Sequence, residues 1–404
     1  MKILIYGINF SHELTGIGKY TGEMAYWFAD QGHDVRVVTA PPYYPEWQVH
    51  KDYCVNWFST EQHHNMRVYR CPLYVPAKVS TLKRLVHLAS FSFSSFFPLL
   101  AQTSWKPDLV ICVAPSLFCA PGALLLSKLT GATSVLHIQD FEVDAMLGLG
   151  MAKAGMAARL ASAFERWCLR SFQYVSTISH FMLARAGTKG VKSESLLLFP
   201  NWSEVERFIA VDPATVQELK NQFEIPADHK VALYSGNIGE KQGLEVVIEA
   251  AKALAGQKIL ILIVGNGAGK EKLETLASGQ QLTNMRFFPL QPYELLPALL
   301  KLADCHLVVQ KRGVADAVLP SKLTNILAVG GNAVITAEPE TELGKLCLSY
   351  PGIGVCVEPE HTDALVAGIK KAMQLPAENE TAKGYASENL AKENILQNFI
   401  QYFR

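Results

Sequence analysis

The feature that most restricts the fold is a strand–loop–helix–strand pattern that occurs twice. In the first half, residues 2–6 are apolar and residues 7–18 form a loop that ends at Gly16 and Gly18. Residues 19–31 then place Tyr20, Met24, Trp27 and Phe28 on one helical face, and 35–39, rich in valine, read as a second strand. In the second half, 230–234 are apolar, 235–243 are glycine-rich, 244–254 have helical periodicity and 259–264 are an unbroken apolar run. Parallel strands need a crossover, and an amphipathic helix supplies one. Each pattern therefore reads as the opening of a doubly wound parallel sheet. Ligands of such sheets bind at the carboxyl ends of the strands. Gly16 and Gly18 stand where a backbone can approach a ligand, or else they only make the turn.

A second stretch has anion-binding character. Pro320 suits a helix entry, where its missing N–H costs little. Leu323, Ile326, Leu327 and Gly330 fall at helical spacing, Gly330-Gly331 stops the helix, and 333–335 read as a buried strand. The first turn of this helix carries a hydroxyl, Ser321, and a cation, Lys322. A helix N-terminus has N–H groups without intrahelical partners, and a diphosphate is a common occupant of such a place. The competing reading is an ordinary helix–strand unit with Lys322 in solvent. Lys311 and Arg312, just before this stretch, are either further positive charge at the same sheet edge or plain surface residues. The run Gly265-Asn-Gly-Ala-Gly269 resembles part of a dinucleotide fingerprint, but its spacing is wrong and it follows a second strand rather than a first.

Length and composition set the frame. At 404 residues the chain is expected to form two or three domains, and 49% hydrophobic content allows large cores. The formal net charge is zero, so there is no global attraction to nucleic acid. The 8 cysteines include no C-x-x-C pair and no His/Cys cluster, which argues against a zinc site or a disulfide framework and for a reducing compartment. The apolar start turns at Gly7, too soon for a signal-peptide core, and reads as a first strand. Residues 199–202 (FPNW) with the polar sequence after them read as a linker. The expected domains are 1–198 and 199–386, facing a cleft, with a C-terminal helix over 387–404 packing back on the first.

Between residues 62 and 107 there is no Asp or Glu. Within that span Leu82, Leu85/Val86, Ala89, Phe93 and Phe96/Phe97 repeat at helical spacing beside Lys83, Arg84 and His87. A basic, aromatic, amphipathic helix suits an anionic membrane surface. A buried interdomain helix and a spanning helix compete with that reading. The spanning one is disfavoured because serines, His87 and Pro98 interrupt a run shorter than the ~20 apolar residues required. Further on, the apolar strand 132–138 leads to Asp140, Glu142 and Asp144. Carboxylates at a strand's carboxyl end mark a candidate site, and Asp140 is the one placed to hold a hydroxyl nucleophile.

The N-terminal Gly-rich loop, Tyr-Ser-Gly-Asn-Ile-Gly at 234–239, and Leu-Pro-Ser-Lys-Leu at 319–323 with Ala-Val-Gly-Gly-Asn-Ala-Val-Ile behind it resemble the retaining glycosyltransferases of family 4 over nearly the whole chain. That family has the GT-B fold, two Rossmann-like domains. The FPNW linker and the Pro-Ser-Lys-Leu helix resemble its exopolysaccharide branch, nearest the colanic acid fucosyltransferases. The resemblance implies a nucleotide-sugar donor held through its diphosphate by Gly16, Gly18, Gly236, Gly239, Ser321 and Lys322. It places Asp140 at the acceptor, and no metal or other cofactor is implied. It further implies an undecaprenyl-diphosphate-linked saccharide acceptor. The enzyme would be cytoplasmic and peripheral at the inner face of the cytoplasmic membrane, touching lipid through 78–104. Departures from the pattern are visible. Two glutamates of many members are replaced by Ala317 and Asn325, with Asp316 one residue out of register. Asn325 can still hydrogen-bond ribose hydroxyls. An arginine of the second glycine loop is Asn237, and its lysine is Gln242 with Lys241 adjacent. A UDP-sugar transferase, a nucleotide-sugar epimerase of the same fold and an inactive nucleotide-sugar-binding partner are the alternatives.

Overall fold

The structure is a computed structural model that describes residues 1–11, 13, 16–44, 47–53, 56–63, 65–77, 80–144, 155–239, 242–313 and 319–404. It divides into two compact units, Met1–Asn201 with Asn398–Arg404, and Trp202–Gln397.

The first unit is built on an eight-stranded sheet: β1 (Lys2–Tyr6), β2 (Asp34–Thr39), β3 (Ser59–His63), β4 (Met66–Arg70), β5 (Leu109–Ala114), β6 (Thr133–Ile138), β7 (Tyr174–Thr177) and β8 (Leu196–Leu198). The order is β3-β4-β2-β1-β5-β6-β7-β8, parallel except for the β3–β4 pair. The chain leaves β1 toward β2 and later returns to β5 on its other side, which makes the carboxyl ends of β1 and β5 a topological switch point. Every residue of β5 is buried, as expected when both faces of a parallel sheet are covered. The edge strand β3, STEQH, has no apolar alternation, and its polarity suits a sheet edge. Among the described residues the sheet is accompanied by α1 (Gly16–Asp30), α2 (Thr81–Leu100), α3 (Ala120–Thr130), α4 (Met156–Ser171) and α5 (His180–Thr188). Helix α1 begins at Gly16, a turn earlier than the apolar spacing indicates, so Gly16 and Gly18 belong to its first turn rather than to a free loop.

Helix α2 is neither buried on all sides nor detached. Its inner face is mixed, with Leu88, Phe91 and Leu99 buried beside hydrogen-bonded polar groups. Ser95 Oγ and Tyr6 Oη share a 2.7 Å hydrogen bond, and His87 Nδ1 donates to the Tyr74 carbonyl at 2.6 Å. Its outer face is apolar. The stretch Leu82–Ser104 is long and apolar enough to cross a membrane by length and composition, yet its inner face is bonded into the sheet's own loops.

The second unit has a six-stranded, wholly parallel sheet: β9 (Lys230–Ser235), β10 (Ile259–Val264), β11 (Met285–Phe288), β12 (Cys305–Val308), β13 (Ala333–Thr336) and β14 (Val355–Val357), in the order β11-β10-β9-β12-β13-β14. Its switch point lies between β9 and β12. Alternate residues of β9 and β10 feed two separate cores. Val231, Leu233, Leu260 and Leu262 pack with Leu323 and Leu327 on one face, and Ala232, Tyr234, Ile261 and Ile263 pack with Val247 and Ile369 on the other. The helices are α6 (Val205–Ile209), α7 (Pro213–Gln222), α8 (Glu245–Ala253), α9 (Lys270–Gly279), α10 (Leu296–Lys301), α11 (Ser321–Ala328), α12 (Glu342–Ser349), α13 (Thr362–Ala372) and α14 (Glu380–Asn389). The expected single helix over 387–404 is instead the end of α14 and a separate α15 (Lys392–Gln401). The break has a local cause, because Ser203 N donates to Leu390 O at 2.9 Å and Ser203 bridges to Ala391, taking that backbone out of the helix. Beyond the break, Phe399 stacks on Phe199 with ring centroids 3.9 Å apart, and Phe403 meets Tyr174 at 5.5 Å.

Candidate active site

At the switch point of the second unit the sequence-predicted groups converge. Strand β9 ends at Ser235, and Gly236 follows at φ +144°, a conformation that favours glycine, with no atom of the described residues within 4 Å of where a Cβ would stand. Tyr234, fully buried at the end of β9, binds this loop to the α11 helix. Its hydroxyl donates to the Asn237 carbonyl at 2.6 Å and accepts from Lys322 Nζ at 3.1 Å, and the same ammonium lies 4.3 Å from the Tyr234 ring centroid. Burial raises the pKa of this phenol, so it keeps the proton it needs to donate. Sequence reasoning gave Tyr234 no role of its own, placing it only at the end of an apolar run and the start of the 234–239 motif. Helix α11 begins at Ser321, which is exposed, behind an N-cap Pro320 that has no side chain to offer the first-turn N–H groups. Those groups and the Lys322 ammonium give this end of α11 positive character.

The remaining residues divide. Lys311, after β12, lies across Gly243 so closely that a Cβ there would stand 2.6 Å from Lys311 Cγ. It therefore joins the glycine loop. Arg312 does not, because its guanidinium pairs with Glu358 at 2.6 Å and Glu338 at 3.6 Å. Gly239 N donates to Gln242 Oε1 at 3.1 Å. Asn325 Oδ1 accepts from Ser203 Oγ at 3.0 Å, so its carbonyl side serves the fold. Lys241, Asp316 and Ala317 lie outside the described residues. The run 265–269 is scaffolding for the loop. A Cβ on Gly265 would stand 1.9 Å from the Gly236 carbonyl oxygen and one on Gly267 2.2 Å from that of Ile238, while Gly269 N donates to Ile238 O at 2.9 Å.

In the first unit, Gly16 has φ +64°, and among the described residues only Tyr44 lies near its missing side chain. Gly18 is glycine for a different reason: a Cβ there would meet Glu13 Oε2 at 2.2 Å. The expected closeness is therefore to Glu13 in the first instance. Glu13 is 5% exposed and braces two loops at the switch point. It accepts from Asn9 Nδ2 at 3.0 and 3.2 Å and from the Tyr43 and Tyr44 amides at 3.4 and 3.3 Å. Burial pushes its carboxyl up to about 7 against the pull of those donors. The three carboxylates after β6 separate into different environments. Asp140 is exposed at the strand's end. Glu142 is buried, accepts from Leu117 N at 3.4 Å and leaves Oε1 without a partner among the described residues, and burial raises its pKa. Asp144 pairs with Arg185 at 2.9 Å and Lys189 at 2.8 Å, which hold its carboxyl below the usual range against its own burial. Ion pairing takes Asp144 out of any hydroxyl-handling role.

Two doubly wound units, one bearing a glycine loop and a cationic helix end at its switch point, are the architecture the site is built on, and the comparisons give the family. Residues 15–202 match the glycosyl transferase 4-like domain and 215–389 match glycosyl transferases group 1. The chain belongs to the glycosyltransferases of family 4 type, with the GT-B fold. It is 62% identical over 407 residues to the putative colanic acid biosynthesis glycosyl transferase WcaI of Escherichia coli (strain K12), covering 100% of both chains. Among solved structures, Anabaena HepE in complex with UDP superposes with a TM-score of 0.71 at 15% identity, covering 100% of this chain and 99% of that one. Sucrose-phosphate synthase from Thermosynechococcus elongatus does so at 0.70 and 18%, covering 100% and 98%.

Proposed function

We propose that the chain is a retaining fucosyltransferase that moves L-fucose from GDP-fucose to an undecaprenyl-diphosphate-linked saccharide during exopolysaccharide synthesis of the colanic acid type. The reading draws its pathway from the full-length likeness to the Escherichia coli protein. The observation that carries its chemistry is the Lys322–Tyr234–Asn237 hydrogen-bonded chain, which locks a cation beside a glycine loop at a switch point. The donor's anomeric C–O bond to phosphate breaks, a new bond to the acceptor oxygen forms on the same face of the sugar, and the acceptor proton passes to the leaving phosphate. Negative charge grows on that phosphate as the bond breaks, so a fixed ammonium and N–H donors there lower the barrier. Lys322, Lys311, Lys241, Ser321 and the N-terminus of α11 are the neutralising groups, with Gly236, Asn237 and Gly239 as the close-approaching backbone. Gly16 and Gly18 supply the first unit's share, and Asn325 meets the ribose. Asp140 orients the acceptor hydroxyl. No metal or other cofactor enters this scheme. The enzyme works at the inner face of the cytoplasmic membrane, where α2 meets the surface that holds the lipid-linked acceptor.

A UDP-sugar donor is the second reading, favoured by the UDP bound in Anabaena HepE. A thermal-shift panel with GDP, UDP, GDP-fucose, UDP-sugars and NAD separates them. A ligand at about 100 times its Kd adds roughly 2.7 kcal/mol of stability. Stabilisation by GDP and GDP-fucose alone is expected, a response to UDP ligands alone moves the donor to the second reading, and a response to NAD alone overturns both.

A further inference from the structure

We propose that α2, α3 and α4 form one continuous docking face for an anionic lipid bilayer, with α4, rather than α2, as its cationic edge. The proposal deepens the membrane reading above by naming the surface and its second amphipathic helix.

Helix α2 carries apolar side chains on its exposed face as well as on its buried one. Leu82, Val86, Ala89, Phe93 and Phe97 follow one another at intervals of three and four, so they share a face, and that face is exposed. Phe93 is 77% exposed and Phe97 69%. The opposite face buries Leu88, Phe91 and Leu99 and bonds its polar groups among them: His87 and Ser95 are bonded as described, Ser90 accepts from Tyr74 N and Ser94 donates to Pro72 O. An amphipathic helix that merely covers a core turns a polar face outward, and α2 does not. Twenty residues span about 30 Å, a stripe far longer than a local contact needs.

The stripe does not end at α2. Ser92 Oγ donates to the Phe118 carbonyl at 2.6 Å, the Phe118 ring lies 6.1 Å from that of Phe164, and Phe164 stacks on Trp167 at 5.9 Å. Helix α3 packs against both neighbours. On α4, Met156, Leu160 and Trp167 are exposed along one line, and Arg159, Arg166 and Arg170 are exposed along the adjoining one. Lys83 and Lys128 add exposed cations from α2 and α3. The three helices carry a single carboxylate, Glu165, which is buried and ion-paired with Lys189. In a chain of zero formal net charge this is segregation of charge, not bulk basicity. An apolar stripe with aromatic rings and arginines at its border matches acyl chains below and anionic headgroups above. A second copy of the chain presenting the same face would bring like charges together, which favours lipid as the occupant.

The test is flotation of the full-length protein with vesicles of phosphatidylglycerol and phosphatidylethanolamine, against pure phosphatidylcholine, without any sugar substrate. Binding to the anionic vesicles, weakened by salt, is expected. R159E/R166E lowers the partition coefficient at least tenfold, since each cation near an anionic surface is worth about fivefold. F93S/F97S lowers it at least tenfold on both vesicle types, and K370E/K371E on α13 leaves it unchanged. Retained melting temperature shows that each variant is folded. Wild-type binding by R159E/R166E overturns the role of α4. Equal binding to both vesicle types overturns the anionic preference. A wild-type dimer that F93S/F97S dissociates, without flotation, overturns the lipid reading in favour of a second copy. Because no sugar is present, a failure here leaves the transfer reaction standing, and a failure of transfer leaves this face standing.

Discussion

Tyr234→Phe isolates how the donor-side lysine is held. The substitution removes one oxygen, the acceptor for Lys322 at 3.1 Å and the donor to the Asn237 carbonyl at 2.6 Å. It leaves the buried ring and its 4.3 Å approach to the ammonium. A hydrogen bond to a charged group nets about 1.5–3 kcal/mol, and the retained ring contact keeps part of the positioning. The expected loss of transition-state stabilisation is therefore roughly 1–2 kcal/mol, a drop of about 5- to 30-fold in kcat/KM for the donor. Lys322→Ala removes the cation itself and costs about 2–4 kcal/mol. Tyr234 acts through Lys322, so the double variant falls no further than Lys322→Ala alone, and the coupling energy equals the whole Tyr234 effect. The assay is donor-dependent transfer with all four proteins of the cycle. Additive losses would show that the two residues act separately, and wild-type activity in Tyr234→Phe would remove the phenol from the mechanism.

Three further outcomes are expected. Lys311→Ala weakens nucleotide binding measured by calorimetry, whereas Arg312→Ala does not, because the Arg312 guanidinium is already occupied by Glu358 and Glu338. Gly18→Ala lowers stability by about 1–3 kcal/mol through overpacking against Glu13. Glu13→Ala/Gly18→Ala recovers much of that loss in thermal melts. His306 is buried on β12 with neither ring nitrogen partnered among the described residues, and burial lowers its pKa to about 3. A histidine whose folded pKa lies below its unfolded value contributes stability above pH ~6.5 that is lost as pH falls toward the folded pKa. His306→Leu should thus match the wild type or exceed it at neutral pH and flatten the acid limb of the stability–pH profile between about pH 6.5 and 3.

The alternating architecture was legible because its signals are local. Residues 3–6 and 259–264 are apolar runs of strand length, 35–39 is valine-rich, and each stands next to a helix with a clear face, which is enough to define doubly wound sheets. The polar edge strand β3 and the three-residue β8 were not, since pairing rather than composition makes them strands. Lys322, Ser321, Gly236 and Asn237 were marked by motif, and the structure gathers them at one switch point. Tyr234 could not be marked, because its function arises from a lysine 88 positions away in the chain. The glycines of 265–269 mislead for the same reason. Their need for small size comes from the Gly236 and Ile238 carbonyls, a contact between two loops that no local spacing reveals. For α2 the periodicity gave the apolar stripe, but only packing shows that the stripe points outward.

Sugar transfer itself is the most direct test. The purified full-length protein is incubated with GDP-fucose or UDP-sugars and a polyprenyl-diphosphate-linked saccharide, and the lipid product and free nucleotide are followed by mass spectrometry. The account predicts one deoxyhexose added to the acceptor, GDP released in equal amount, and both lost in Lys322→Ala. An acceptor unchanged with every donor, with the nucleotide-sugar returned intact or as an epimer, would contradict it.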